Sequence, residues 1–396
     1  MKSRKLSRKR RRASIVTAAA ASVVAGAVLL PNWSAGAAVT DDPTVDPATK
    51  ATFQRLADAV FSDRTNALVD DAKSGQKKGR HQLTSGFSGK VRLSGTQSRQ
   101  EGAALSELSG RKSRLAKLGE KYSAATTGVT LDATQVKGRR ATVDVTETTT
   151  LTYEKVKGTE PRTTGFQAHH ELTFKADQQG NWQLTGIRDT DDGYLAVNQV
   201  AKPAVAAPRT AADDGPPEAA RSATTWPAPA KPKNFSATGY DYKAMAAYAA
   251  KYWNHYNPDY PNYNGETDGG DCTNFVSQAL KAGGWKHVPG YTNDFHKWFG
   301  NSSIQSDSFV GVNEFSWFAL SSKRVTSLAN VYQLDVGDVL QMDFNKDGSK
   351  DHSMIVTYRS RQGVPYVTYH STNTYNRSVA SIIASYPNAA YYAYRS

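Results

Sequence analysis

The chain has one cysteine, Cys272, among 396 residues. An internal disulfide is excluded, and a disulfide-stapled fold with it. Acidic residues are missing from the start: none occurs before Asp41, while Lys2, Arg4, Lys5, Arg8, Lys9, Arg10, Arg11 and Arg12 crowd the first twelve positions. Long apolar runs are scarce as well; residues 13–30 form one, and no second span follows. The formal net charge is +13, but with those eight cations set aside 41 basic residues face 36 acidic ones. No basic stripe with interleaved aromatics remains, which argues against a nucleic-acid partner. The small positive balance suits loose attraction to an anionic surface.

What is present at the start is a basic cluster, an apolar run rich in Ala and Val, and the small-residue stretch Ser34-Ala35-Gly36-Ala37-Ala38. That order predicts a secretory signal over residues 1–37, cut after Ala37, and so a secreted or wall-associated protein with no stable membrane span after cleavage. Arg11-Arg12 is a loose match to a twin-arginine signal. Export sharpens the meaning of Cys272. Exported proteins use cysteines in pairs, so an unpaired one is a reactive thiol or an intermolecular link.

Aromatic residues at 10% and apolar residues at 39% are enough to bury real cores, and the length suggests two domains. Residues 38–50 read as disordered. Residues 51–195 read as an α+β accessory domain. Phe53, Leu56, Val60 and Phe61, then Leu105, Leu108, Leu115 and Leu118, mark two helices. Strands rich in β-branched and aromatic residues follow over 126–131, 141–153, 166–176 and 182–188. Helices followed by antiparallel strands are similar in outline to the cone-shaped nuclear-transport-factor-like fold. His169-His170 points to opposite faces of a strand and cannot chelate one metal; it reads as a solvated pair. Residues 196–238 hold seven of the 16 prolines and read as a semi-extended linker. The second domain, 239–396, is α+β again, with a helix around Met245–Tyr256, then the cysteine helix, then strands over 338–344, 352–358, 366–371 and 391–394.

The chemistry concentrates at Gly270-Asp271-Cys272-Thr273-Asn274-Phe275-Val276-Ser277-Gln278. Asp271 stands where a helix takes its N-cap, Phe275, Val276, Ala279 and Leu280 recur at helical spacing, and Gly283-Gly284 ends the segment. Cys272 then sits at the positive end of a helix dipole, which favours thiolate over thiol. A cysteine nucleophile needs an imidazole held by a third polar group. His255, His287 and His296 lie on helix ends or loops. His352 and His370 lie on adjacent strands, and a hairpin centred on Arg361 would set them face to face. The resulting expectation is Cys272 as nucleophile, His352 as base, His370 as its orienter and Asn373 in reserve, with Asp271 and Asn274 in support and the Cys272 backbone N–H as an oxyanion donor. Asp343-x-Asn345-x-Asp347-Gly348-x-x-Asp351 has calcium-loop spacing, but Met354 stands where the bidentate Glu belongs; a solvated hairpin loop is the better reading, and no metal or cofactor is expected.

Tyr248-Ala249, Tyr252 and Asn257, the Asp271–Gln278 string, Gly283-Gly284, Gly337-Asp338-Val339 and His352-Ser353 together resemble the putative amidase domain family of secreted bacterial proteins. That family is similar to papain-like cysteine hydrolases such as the NlpC-type and CHAP-type cell-wall enzymes. The resemblance covers about residues 240–396. It implies a papain-like fold, a Cys272–His352 dyad with His370 third, and amide hydrolysis, with cell-wall peptides as substrate by analogy. Two other classes use the same sequence features: a catalytically silent cell-surface binding module, calcium-dependent if the Asp343–Asp351 loop holds a cation, and an acyltransferase working through the same dyad.

Overall fold

The computed structural model describes residues 45–70, 91–191, 194–200, 216, 219–264 and 270–396. The basic start, the apolar run 13–30 and the expected cleavage site lie outside these residues. The described residues begin with α1 (Pro47–Asn66), β1 (Val91–Leu93) and α2 (Gly95–Lys117). Four long strands follow: β2 (Tyr122–Lys137), β3 (Arg140–Tyr153), β4 (Thr163–Ala176) and β5 (Trp182–Asp189). The second half contains α3 (Tyr242–Tyr252), α4 (Cys272–Ala282), the short α5 (Asp307–Val310), α6 (Val312–Ser321) and β6 (Thr326–Leu328). It closes with β7 (Val339–Asp343), β8 (His352–Arg359), β9 (Pro365–Tyr369), β10 (Thr374–Ser378), α7 (Val379–Ser385) and β11 (Ala390–Arg395). The fold is α+β: in each half most of the helices precede the sheet, with β1 ahead of α2 and α7 between β10 and β11.

Residues 47–50, expected to be disordered, are the first turn of α1. Asp46 caps it by accepting the Thr49 N–H at 3.0 Å, and Pro47 fits the first position because no N–H is needed there. The helix lays Phe53, Leu56, Val60 and Phe61 on the sheet, where Phe53 stacks on Phe174 at 4.2 Å. The aromatic stretch around Phe315 and Phe318, read as irregular, forms α6; both rings are buried against α4 and the sheet.

The two halves share one sheet. Its order runs β1-β5-β4-β10-β9-β8-β7-β11-β6, with β3 on the other edge of β4 and β2 beyond it. The join is short: Phe166 pairs with Thr374 and Gly165 with Tyr375. A Cβ on Gly165 would stand 2.6 Å from the Tyr375 ring and 2.7 Å from the Thr149 carbonyl, so only glycine admits this approach.

The described parts of the Pro/Ala-rich stretch are mostly exposed, but a few of its side chains are anchored on the surfaces it crosses. Asn198, Gln199, Ser222 and Lys233 are buried. The N–H of Ser222 donates to the Tyr391 carbonyl at 2.7 Å, and Lys233 Nζ meets Asp338 at 2.7 Å under the sheet edge. Proline removes donors, but the residues between prolines still find acceptors on the neighbouring chain, and an extended strap results.

His169 and His170 do face opposite sides, yet His170 is no solvated residue. β4 is a central strand, and alternation puts Phe166, Ala168, His170, Leu172 and Phe174 on its buried face. The His170 ring stacks on Phe61 at 4.4 Å, with Nδ1 2.9 Å from Asp189 and Nε2 3.2 Å from Glu147. Burial opposes the charged ring, but the bonds to Asp189 and Glu147 outweigh it and hold the imidazole up at about 9. A raised value means stability that is complete below the ordinary value of 6.5 and is lost as pH rises through 9. Urea titrations between pH 6.5 and 9.5 should show the unfolding free energy falling by up to about 3 kcal/mol, and His170→Gln should flatten that slope even as it lowers the whole curve.

Candidate active site

Cys272 is the first residue of α4, and every side chain from Cys272 to Leu280 is buried. The helix lies over β8, with Phe275, Val276, Ala279 and Leu280 in the core beside Val339 and Ile355. Gly283 lets α3 and α4 close, since a Cβ there would fall 2.3 Å from Met245 Cγ. The Cys272 thiol is 2% exposed. The Ser353 backbone N–H donates to it, and it shares a hydrogen bond with the Thr273 hydroxyl, whose Oγ1 stands 3.7 Å from Sγ and 2.9 Å from Ser353 Oγ. Burial pushes the thiol up to about 11, against those donors, and the charge of Asp271 adds to the rise. The expectation of a depressed thiol is therefore not met: burial is the largest influence on the thiol at this helix start, and it raises it.

Asp271 does not cap the helix with its side chain. Its Oδ1 accepts from the Tyr263 N–H at 3.1 Å and Asn274 Nδ2 at 2.8 Å, and its Oδ2 meets His370 Nδ1 at 2.5 Å. The other ring nitrogen, Nε2, is 2.8 Å from the Tyr252 carbonyl at the end of α3. Each nitrogen faces an acceptor, so both contacts are hydrogen bonds only when both nitrogens carry protons. The ring is held between Phe275 at 4.0 Å and Tyr256 at 4.3 Å. Directly after it, Ser371 and Thr372 adopt left-handed backbone at φ 63° and 59°. Such strain costs on the order of 1–3 kcal/mol per residue and persists only where the surroundings impose it. Asn373, the reserve orienter, instead accepts the Tyr256 hydroxyl at 2.9 Å, and its carbonyl takes the Gln167 N–H from β4 at 3.1 Å. Asn274 ties the loop before the helix by donating to the Pro261 carbonyl at 2.9 Å.

His352 and His370 are not face to face. Tyr358 pairs with Tyr366, a β-bulge follows, and Val356 pairs with Val367 and Ile355 with Thr368. The net offset from a hairpin centred on Arg361 is one residue at the histidine end, and one residue turns every side chain to the other face. Ser353 and Ile355 look toward α4, while His352, Met354 and Val356 look the opposite way. There the His352 ring stacks on Tyr194 at 4.1 Å and 7°, with Tyr369 edge-on at 5.0 Å. Its Nε2 is buried without a partner. Burial, with the charge of Arg377 nearby, pulls this imidazole down to about 3. Among the described residues no hydrogen bond joins either ring to Sγ.

The calcium-loop residues are used by the loop itself. Asp343 Oδ2 accepts the Gly348 N–H at 2.9 Å, Asp347 the Ser349 N–H at 2.8 Å and Asn345 Nδ2 at 3.0 Å, and Asp351 the Phe344 N–H at 2.7 Å. Burial, then the charges of Asp343 and Asp347, raises Asp351 to about 6. Among the described residues no group of three His, Cys, Asp or Glu is placed to hold a metal ion. Sequence reasoning missed Tyr252, Tyr256 and Ser353. Tyr252, the last residue of α3, and Tyr256, just past its end, stand at i, i+4 spacing, and that spacing was the available signal.

Two measurements check this geometry. A depressed histidine confers stability that is complete above 6.5 and lost as pH falls toward 3. His352→Leu should keep the fold and flatten the acid limb between pH 6 and 4, read by urea titration. Iodoacetamide should label native protein slowly at pH 7 and about tenfold faster per pH unit up to about 11, whereas fast labelling below pH 7 would contradict the buried thiol.

Comparison with known proteins gives partial matches. "Uncharacterized protein YhbB" of Bacillus subtilis (strain 168) is 33% identical over 142 residues, 34% of this chain and 44% of that protein. "Uncharacterized protein YjcM" of the same strain is 33% identical over 151 residues, 36% of this chain and 33% of that protein. The chain thus spans less than half the length of these relatives. Among solved structures, the intermembrane space region of chloroplast protein ARC6 aligns over 37% of this chain and 98% of its own at 17% identity, with a TM-score of 0.22, which carries no argument about fold. The stretch that holds Cys272, Asp271, His352 and His370, residues 239–394, matches the family model described as "Putative amidase domain".

Proposed function

We propose that residues 239–394 hydrolyse an amide bond with Cys272 as nucleophile and His370, oriented by Asp271, as proton carrier. The observation that carries this reading is the buried Asp271–His370 pair at the start of the helix that Cys272 opens. It is supported by the match to the putative amidase domain over the same residues. Because the Asp271 carboxylate serves His370 and not the helix, the first-turn N–H groups of α4 lack a side-chain cap. Such donors suit an oxyanion formed as the thiolate attacks a carbonyl. A thiol held near 11 needs a base at the moment of attack. In this reading His370 carries one proton, on Nδ1 toward Asp271; its unprotonated Nε2 turns from the Tyr252 carbonyl, takes the thiol proton and gives it to the leaving amine, and water then hydrolyses the thioester. His352 is the weaker candidate because its ring lies on the reverse face of the sheet.

The substrate class follows from analogy with cell-wall enzymes, and the basic, apolar start of the chain supports export to the compartment where a wall substrate would be met. A catalytically silent binding module is favoured by one observation, the near-complete burial of Cys272. Digestion of purified cell wall, with mass spectrometry of the released fragments, separates the two. Wild type should release amine-terminated fragments and Cys272→Ala none. His370→Ala should slow release by about 10²–10⁴-fold, and His352→Leu by less than tenfold. Loss of release in a folded His352→Leu would return the base to His352, and absence of release by wild type would remove the cell-wall reading.

A further inference from the structure

A cavity of about 260 Å³ lies at the seam of the two halves, away from Cys272. Tyr153 and Glu160 reach it from the first half, Trp226 from the strap, and Tyr366 from β9. Its three carboxylates differ, and Glu154 is exposed. Glu120 is satisfied: it accepts the Tyr122 hydroxyl at 2.9 Å and the Ser378 hydroxyl. Glu160 is only 8% exposed, and one oxygen, Oε2, accepts the Lys157 N–H at 2.9 Å. The other, Oε1, is buried without a partner. Among the described residues no cation comes within ion-pairing distance of Glu160. Lys155 and Lys157 line the same cavity with exposed side chains, and Lys121 Nζ is committed to Asp70 at 3.1 Å.

A buried carboxylate oxygen left bare is costly, and a cation is the partner that offsets it best. Aromatic faces beside a carboxylate are the usual setting for an ammonium group, and Trp226, 39% exposed and resting on Tyr332 at 4.6 Å, offers one. The exposed lysines would repel a purely cationic ligand but attract one that also carries a carboxylate. We propose that this seam cavity is a binding site for a zwitterionic amine of amino-acid or short-peptide size, its ammonium on Glu160 and its carboxylate toward Lys155 and Lys157. The site does not depend on the assignment of Cys272.

Isothermal titration calorimetry with Nα-acetyllysine, Nα-acetyllysine amide and Nα-acetylnorleucine tests it. Nα-acetyllysine should bind saturably, the amide several-fold more weakly, and the norleucine compound at least tenfold more weakly. Glu160→Gln and Trp226→Ala should each weaken Nα-acetyllysine at least tenfold while leaving the iodoacetamide profile of Cys272 unchanged. Equal binding of the norleucine compound, no saturable binding of Nα-acetyllysine, or wild-type affinity in a folded Glu160→Gln would overturn the proposal. Should Glu160→Gln fail to fold, the three-ligand series on wild type and Trp226→Ala still decide it.

Discussion

The buried pair between Asp271 and His370 is the contact on which the candidate site depends. It joins three pieces of chain that are far apart in sequence: the start of α4, the end of β9 and, through the Tyr252 carbonyl, the end of α3. Removing one member of such a pair leaves a buried group uncompensated, which costs about 3–5 kcal/mol. The contact also settles what the neighbours do. Asp271 cannot both hold His370 and cap α4 with its side chain, so the helix start keeps its donors. The His370 ring lies between Phe275 and Tyr256, so the sheet end and the helix are registered against each other. Cys272 is placed by this same frame, with Ser353 and Thr273 as its polar neighbours.

The first half of the chain contributes to that frame. β4 pairs with β10, and the Gln167 N–H reaches the Asn373 carbonyl in the turn that follows His370. The strained residues Ser371 and Thr372 lie between His370 and that anchor. The strained turn is thus held from the Tyr256 side and from the β4 side, as over-determined backbone requires. On the reverse face, Tyr194 from the first half fills the space over His352, while Asn198 and Gln199 continue into the polar network around Glu147 and Asp189. A sheet that runs through both halves makes the site's surroundings a property of the whole chain and not of residues 239–394 alone.

Much of the fold was legible in the residues. The four long strands of the first half follow their β-branched, alternating pattern, and α1, α2, α3 and α4 follow their apolar spacing. These are local signals, and each side chain's neighbours along its own element suffice to produce them. α6, β10 and α7 were missed. Aromatic residues in α6 pack on several sides and blur the period, and β10 and α7 are short elements whose identity comes from what they pair with. At the site, Cys272, Asp271 and His370 were picked out by residue type and position, while their connection was misread.

By itself the sequence determined that one thiol stands at the start of an amphipathic helix, that two histidines occupy neighbouring strands, and that glycines flank the cysteine segment. All of that follows from residue identity and spacing within single elements. Tertiary structure decided which histidine shares a face with the thiol, whether the thiol is wet or dry, and what the aspartate holds. The reason is geometric: strand faces alternate with every residue, so a single bulge near Thr357 puts His352 and His370 on opposite faces of the sheet. No pattern local to either strand announces where such a bulge will fall.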